Sequence, residues 1–120
     1  MGENYISYRE ENGSINISED VISGIVRSAA AEVEGVSGMP TTAGPDIAEI
    51  IGQKTLPKGV KVRFEEYKVI VDAIITVAYG SNVVNVARNV QEAIKNVILS
   101  STGIENAEIN VHVAGISFDK

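Results

Sequence analysis

The most regular alternation of apolar and polar positions runs from Lys58 to Gly80 and predicts two adjacent strands joined by a tight turn. In the first arm Val60, Val62 and Phe64 alternate with Lys61, Arg63 and Glu65, so one face belongs to a core and the other to water. The Glu65-Glu66 pair is the expected turn. In the second arm Tyr67, Val69, Val71, Ala73, Ile75, Val77 and Tyr79 make one apolar row. Its other face, Lys68, Ile70, Asp72, Ile74, Thr76 and Ala78, is only half polar, which implies that something covers part of it.

The flanking segments read as follows. Asn12-Gly13 suits the positive φ angles of a two-residue hairpin turn, and Ser14 to Ile17 is a short strand after it. Ser18 stands at an N-cap position with Glu19 and Asp20 in the first turn. Val21, Ile22, Ile25, Val26, Ala29, Ala30 and Val33 then recur at helical spacing, giving a helix from about Glu19 to Glu32. Gly24, Ser28 and Ala31 leave a shallow stripe on that helix, either a plain solvent face or a place for close approach by another helix. Glu34 to Met39 turns into a brief extended segment. From Pro40 to Pro57 the composition shifts to Thr, Gly and Pro around one amphipathic island, Asp46 to Ile51, so a flexible insertion at about 40–58 is expected.

A second helix is capped by Ser81 or Asn82 and runs to about Ser101, with Val83, Val86, Ala87, Val90, Ala93, Ile94 and Val97 as its apolar stripe and Thr102-Gly103 as its end. Alternation returns from Ile104 to Phe118, where Ala107, Ile109, Val111 and Val113 oppose Glu108, Asn110 and His112. Each long strand has one strongly apolar face and each helix one apolar stripe. The economical arrangement is an α+β two-layer sandwich with two main helices on one face of a small mixed β-sheet. At 120 residues the chain is one domain, burying roughly two-thirds of its unfolded surface.

Composition narrows the chemistry. With no cysteine there are no disulfides and no thiolate metal sites. Sixteen acidic against ten basic residues give a net charge of −6, which disfavours phosphate backbones and anionic headgroups, so nucleic acid is not an expected partner. No apolar run approaches the roughly 20 residues of a membrane span, and the N-terminus lacks a basic-then-apolar signal pattern, so a cytoplasmic chain without direct membrane insertion is expected. His112 is the single histidine. Glu108 lies four strand residues away, about 13 Å, too far to share one metal ion with it, and Asp72 reaches it only if their strands are neighbours in the right register. No nucleophile elbow and no phosphate-binding glycine loop is present, so no catalytic residue, cofactor or metal is assigned.

Certain segments, in order and spacing, carry a family resemblance: Ile17-Ser18 before the first helix, Val33-Glu34-Gly35-Val36, Lys58-Gly59-Val60-Lys61-Val62, Val71-Asp72, Ala78-Tyr79-Gly80, Val90-Gln91, Thr102-Gly103 and Val111-His112-Val113. From about Gly13 to Gly115 the chain resembles the alkaline shock protein family of Gram-positive bacteria, also called the envelope stress response family. It departs at Gly52-Gln53-Lys54, where members often carry Gly-Arg-Lys. The resemblance implies a small non-enzymatic cytoplasmic protein linked to cell-envelope homeostasis and stress, some members being held at the membrane by a separate anchoring protein. It also implies an alternative, an accessory or regulatory subunit of a dihydroxyacetone-kinase-type fatty-acid kinase. It supplies no catalytic residues.

The expected function is therefore an interaction or scaffold protein whose partners are itself, as a homo-oligomer, and a membrane-anchoring protein or a lipid-pathway kinase. The candidate interaction face is the sheet surface carrying Lys61, Arg63, Lys68, Ile70, Asp72, Ile74, Thr76, Asn110 and His112. With both helices on the opposite face, Ile70 and Ile74 form an apolar centre in a polar rim. In the alternative the N-terminal hairpin or the 40–57 insertion folds back over those isoleucines and buries them.

Overall fold

The computed structural model describes residues 5–39, 59–65 and 68–118. In chain order the elements are β1 (Tyr5–Glu10), β2 (Gly13–Ser18), α1 (Glu19–Ala31), β3 (Val36–Gly38), β4 (Val60–Glu65), β5 (Lys68–Ala78), α2 (Val83–Thr102) and β6 (Ala107–Ser117). β5 is the central strand. β6 runs parallel along one of its edges, from Val69↔Ala107 to Ala78↔Ser117. The other edge is shared by two antiparallel strands, with β4 on the first half (Val60↔Ala73 to Glu65↔Lys68) and β3 on the second (Val36↔Val77). The sheet is mixed, and α2 is the crossover that a parallel β5–β6 pair requires. β1 and β2 form a separate two-stranded hairpin.

Local chemistry sets the helix ends. The Ser18 hydroxyl accepts from the Val21 N–H at 3.4 Å to open α1, and the Asn82 side-chain oxygen accepts from Asn85 N–H at 3.0 Å to open α2. α2 stops where Gly103 takes a left-handed φ of 79° and its N–H donates to the Leu99 carbonyl at 2.8 Å. Ile22, Val26 and Ala30 of α1 and Val86, Val90, Ile94 and Ile98 of α2 are buried with Val60, Val62, Val69, Val71, Ala73, Ile75 and Val77 of the sheet. Both helices therefore cover one face of one sheet, the α+β sandwich predicted from the patterning. The hairpin is tied to the rest by the Tyr8 hydroxyl, which donates to the Thr102 carbonyl at the end of α2.

Several expectations shift. Glu10 pairs with Gly13, so the turning residues of the first hairpin are Glu11 and Asn12, and Gly13 opens β2 with a φ of 140°. Glu65 pairs with Lys68 rather than turning, and Glu66 and Tyr67, the latter of the predicted apolar row, lie outside the described residues. The 40–58 insertion, including the Asp46 to Ile51 island, also lies outside the described residues. The far end of the apolar row differs too: Tyr79 is 70% exposed, because β5 has ended at Ala78 and the chain turns through Gly80.

Gly35 is where α1 hands over to β3. Its φ is +98°, and an added Cβ would stand 2.6 Å from Val86 Cγ2 on α2. Gly24, inside α1, has open space at the same position. We expect Gly35→Ala to cost about 1–3 kcal/mol through backbone strain and the clash, and Gly24→Ala to stabilise by roughly 0.5–1 kcal/mol through helix propensity. Urea unfolding of the two variants checks the opposite signs.

Candidate interaction face

On the sheet face away from the helices, strand pairing brings most of the predicted residues into one group. β5 and β6 are neighbours with Asp72 opposite Asn110 and Ile74 opposite His112, so the register that His112 needs in order to reach Asp72 exists. Asp72 is the centre. Its Oδ1 accepts from Asn110 Nδ2 at 3.1 Å and lies 3.5 Å from His112 Nε2, while its Oδ2 is 3.9 Å from an Arg63 guanidinium nitrogen of β4. The Asp72 side chain is 8% exposed and that of His112 16%, whereas Arg63 is 43% exposed and reaches out to Glu65 at 3.7 Å. A carboxylate removed from water is tolerated only when partners replace its hydration, and the two strands beside β5, β4 and β6, supply them here.

Beside this centre, Lys68 Nζ donates to Glu108 Oε1 at 3.0 Å and Asn110 Nδ2 lies 3.4 Å from Glu108 Oε2. These two contacts, the Lys68 ammonium first, hold the Glu108 carboxyl below the usual carboxylate range. Thr76 meets the Ser37 hydroxyl at 3.0 Å, which secures the short strand β3. Lys61 is half-buried and acts toward α1, where burial pushes the Glu19 carboxyl up and Lys61 pulls it the other way.

Ile70 and Ile74 are not an open apolar centre. They are 5% and 1% exposed, so the monomer buries them, and the expectation of two isoleucines in water is corrected. Of the two coverings weighed, the hairpin packs at the α2 end through Tyr8, and the insertion lies outside the described residues. The face thus presents a polar rim, Arg63, Glu65, Lys68 and Glu108, around a buried middle.

The solvated apolar surface is elsewhere. Tyr79 and Phe118, 70% and 73% exposed, stack with ring centroids 4.9 Å apart where β5 and β6 end, and the half-exposed Ile116 belongs to the same end of β6. Sequence reading placed Tyr79 in the core row and left Phe118 as a strand terminus. The available signal was position: both fall just past the last paired residues of long strands, where among the described residues each ring has the other as its ring partner.

Comparison with known proteins agrees with the resemblance. The sequence profile of the alkaline shock protein family, described as having a cell envelope-related function, matches residues 7–118. The chain belongs to this family. YqhY of Bacillus subtilis is 36% identical over 107 residues, which is 89% of this chain and 79% of YqhY, and YloU of the same organism is 31% identical over 92% of this chain and 94% of its own. Spy1614 of Streptococcus pyogenes is 28% identical over 92% of this chain and 93% of its own. Both the Bacillus and the Streptococcus proteins are named as uncharacterised, and neither those names nor the family description carries an enzymatic activity. A solved variant of the MamM C-terminal domain overlays with a TM-score of 0.50 at 18% identity, covering 80% of this chain and 94% of its own, a likeness of fold alone. Among the described residues no helix is long and apolar enough to cross a membrane, and no three acidic or histidine side chains converge as a metal site.

Two outcomes test this geometry. Ile74→Thr is expected to destabilise the monomer by about 2–4 kcal/mol, the range for emptying a packed position, rather than leaving the melt unchanged as an exposed site would. In a carbon-detected NMR titration Glu108 is expected to deprotonate at lower pH than an ordinary glutamate, and Lys68→Met to move it back up. The sign follows from a depressed folded pKa: the contribution is present above the unfolded value and is lost as pH falls through the folded one. Because Glu108 is exposed, salt weakens it.

Proposed function

We propose that this protein is an interaction module of the cell envelope with no catalysis of its own, which assembles with itself and with an envelope-associated protein. The observation that carries the reading is the Tyr79–Phe118 stack, an exposed aromatic pair beside the half-exposed Ile116. Large aromatics in water cost free energy that a partner recovers, and such residues are the enriched anchors of interfaces. The family description supplies the envelope context. The polar sheet face points the same way, since Asp72 is engaged by Asn110, His112 and Arg63 and so is a poor general base.

The test is capture from native lysate with tagged wild type and with Tyr79→Ser/Phe118→Ser. We expect a membrane-anchored protein to be recovered by the wild type and lost at least about tenfold in the double variant, with both chains equally folded by circular dichroism. Equal recovery by both would overturn the assignment of this patch. A lipid-pathway kinase recovered in fixed ratio would replace the scaffold reading with that of an accessory subunit.

A further inference from the structure

Among the described residues β6 is a long strand with one partner strand, β5. Because the Asn106 carbonyl accepts from the Val69 N–H of β5 at 3.1 Å, alternation along the strand turns the backbone groups of Glu108, Asn110 and His112 toward β5 and those of Ile109, Val111 and Val113 outward. The Ile109 carbonyl accepts one bond, from Gln91 Nε2 of α2 at 2.9 Å, which leaves it a second lone pair for a partner strand. The outward N–H and C=O groups of Val111 and Val113 have no partner among the described residues. Proteins ordinarily defend such an edge with Lys, Pro or an inward-pointing charge. From Asn110 to Ser117 this strand has no charged residue and no proline.

Building on the interaction-module reading above, we propose that the free edge of β6 docks a second copy of this chain, the two β6 strands pairing antiparallel about a two-fold axis at Val111. The strand is complementary to itself in that register. Val111 meets Val111 and Ile109 meets Val113, β-branched pairs that extend the helix-covered face, and on the other face Asn110 meets His112, an amide opposite an imidazole. Net charge does not oppose it locally. Glu108, the one charged residue of β6, faces Ala114, and the two Glu108 carboxylates stand six residues apart, roughly 20 Å at ~3.3 Å per residue and beyond the Debye length of about 8 Å. The flank of α2 beside the edge carries Arg88, Glu92 and Lys95, mixed in sign, so it does not repel its own copy. The bulge after Val113 ends the regular edge and limits pairing to the segment around the axis.

The experiment combines light scattering with amide exchange. Val111→Pro removes an outward N–H and leaves the ladder to β5 whole, as edge prolines do. Wild type is expected to dimerise and Val111→Pro to be monomeric with an unchanged β-sheet spectrum. In the wild type, protection of the Val111 and Val113 amides is expected to rise at least about tenfold from micromolar to millimolar concentration, while that of Asn110 and His112, already bonded to β5, changes little. This second readout decides the matter even if the proline variant fails to fold. A wild type that stays monomeric at millimolar concentration overturns the proposal, as does a dimer in which the Val111 and Val113 amides remain unprotected. Capture of an envelope partner is measured separately and survives either result.

Discussion

The structure depends on covering β5. Val69, Val71, Ala73, Ile75 and Val77 face the helices and Ile70, Asp72 and Ile74 face away, and every one of these eight residues is buried. A strand apolar on both faces is stable only when both faces are covered and both edges paired, because its backbone groups have no water to return to. β6 supplies one edge, β3 and β4 divide the other, and α1 and α2 close one face.

That requirement makes Asp72 a register lock. A carboxylate in the middle of a buried strand costs several kcal/mol unless its hydration is replaced, and the replacement comes from Asn110 and His112 of β6 and Arg63 of β4. A slip of one residue between β5 and β6 would turn the amide and imidazole to the opposite face and leave the carboxylate bare. The polar cluster thus selects one pairing among several that the apolar rows alone permit. Parallel pairing in turn requires a long crossover, and α2 fits that need because its buried positions Val86, Val90, Ile94 and Ile98 recur every four residues on one side.

What was legible in the sequence was whatever depends on neighbours in the chain. The two helices, their caps (Ser18 for the first, Ser81 or Asn82 for the second, where the structure uses Asn82) and the apolar rows of β4, β5 and β6 follow from spacing, and spacing predicted them and the layer arrangement. The turn residues were less legible, because pairing across a hairpin decides which residues turn. Glu10↔Gly13 put Glu11 and Asn12 in the loop although Asn12-Gly13 has the better turn chemistry. The Asp72 cluster was legible as a shared face and not as a contact, since 38 residues separate Asp72 from Asn110 and only strand order joins them. The burial of Ile70 and Ile74 was one of two alternatives that alternation cannot distinguish, because the same half-polar row suits a solvent face and a covered one.

The distribution of satisfied and unsatisfied groups is what points from fold to function. Where this chain brings these ionisable groups together it also gives them partners: Lys68 with Glu108, Arg63 with Glu65 and Asp72, and Asn110 and His112 within hydrogen-bonding reach of Asp72. A site built for chemistry instead leaves a lone pair, a proton or an open coordination position aimed at a substrate. Here the groups left without partners among the described residues are of another kind, two aromatic rings at the end of the sheet and a row of backbone donors and acceptors along one strand. Rings and strand edges perform no reactions, and they are satisfied by burial against another polypeptide. The free energy these groups leave uncollected can therefore be recovered by association, which is the physical basis for the proposed reading as an interaction module.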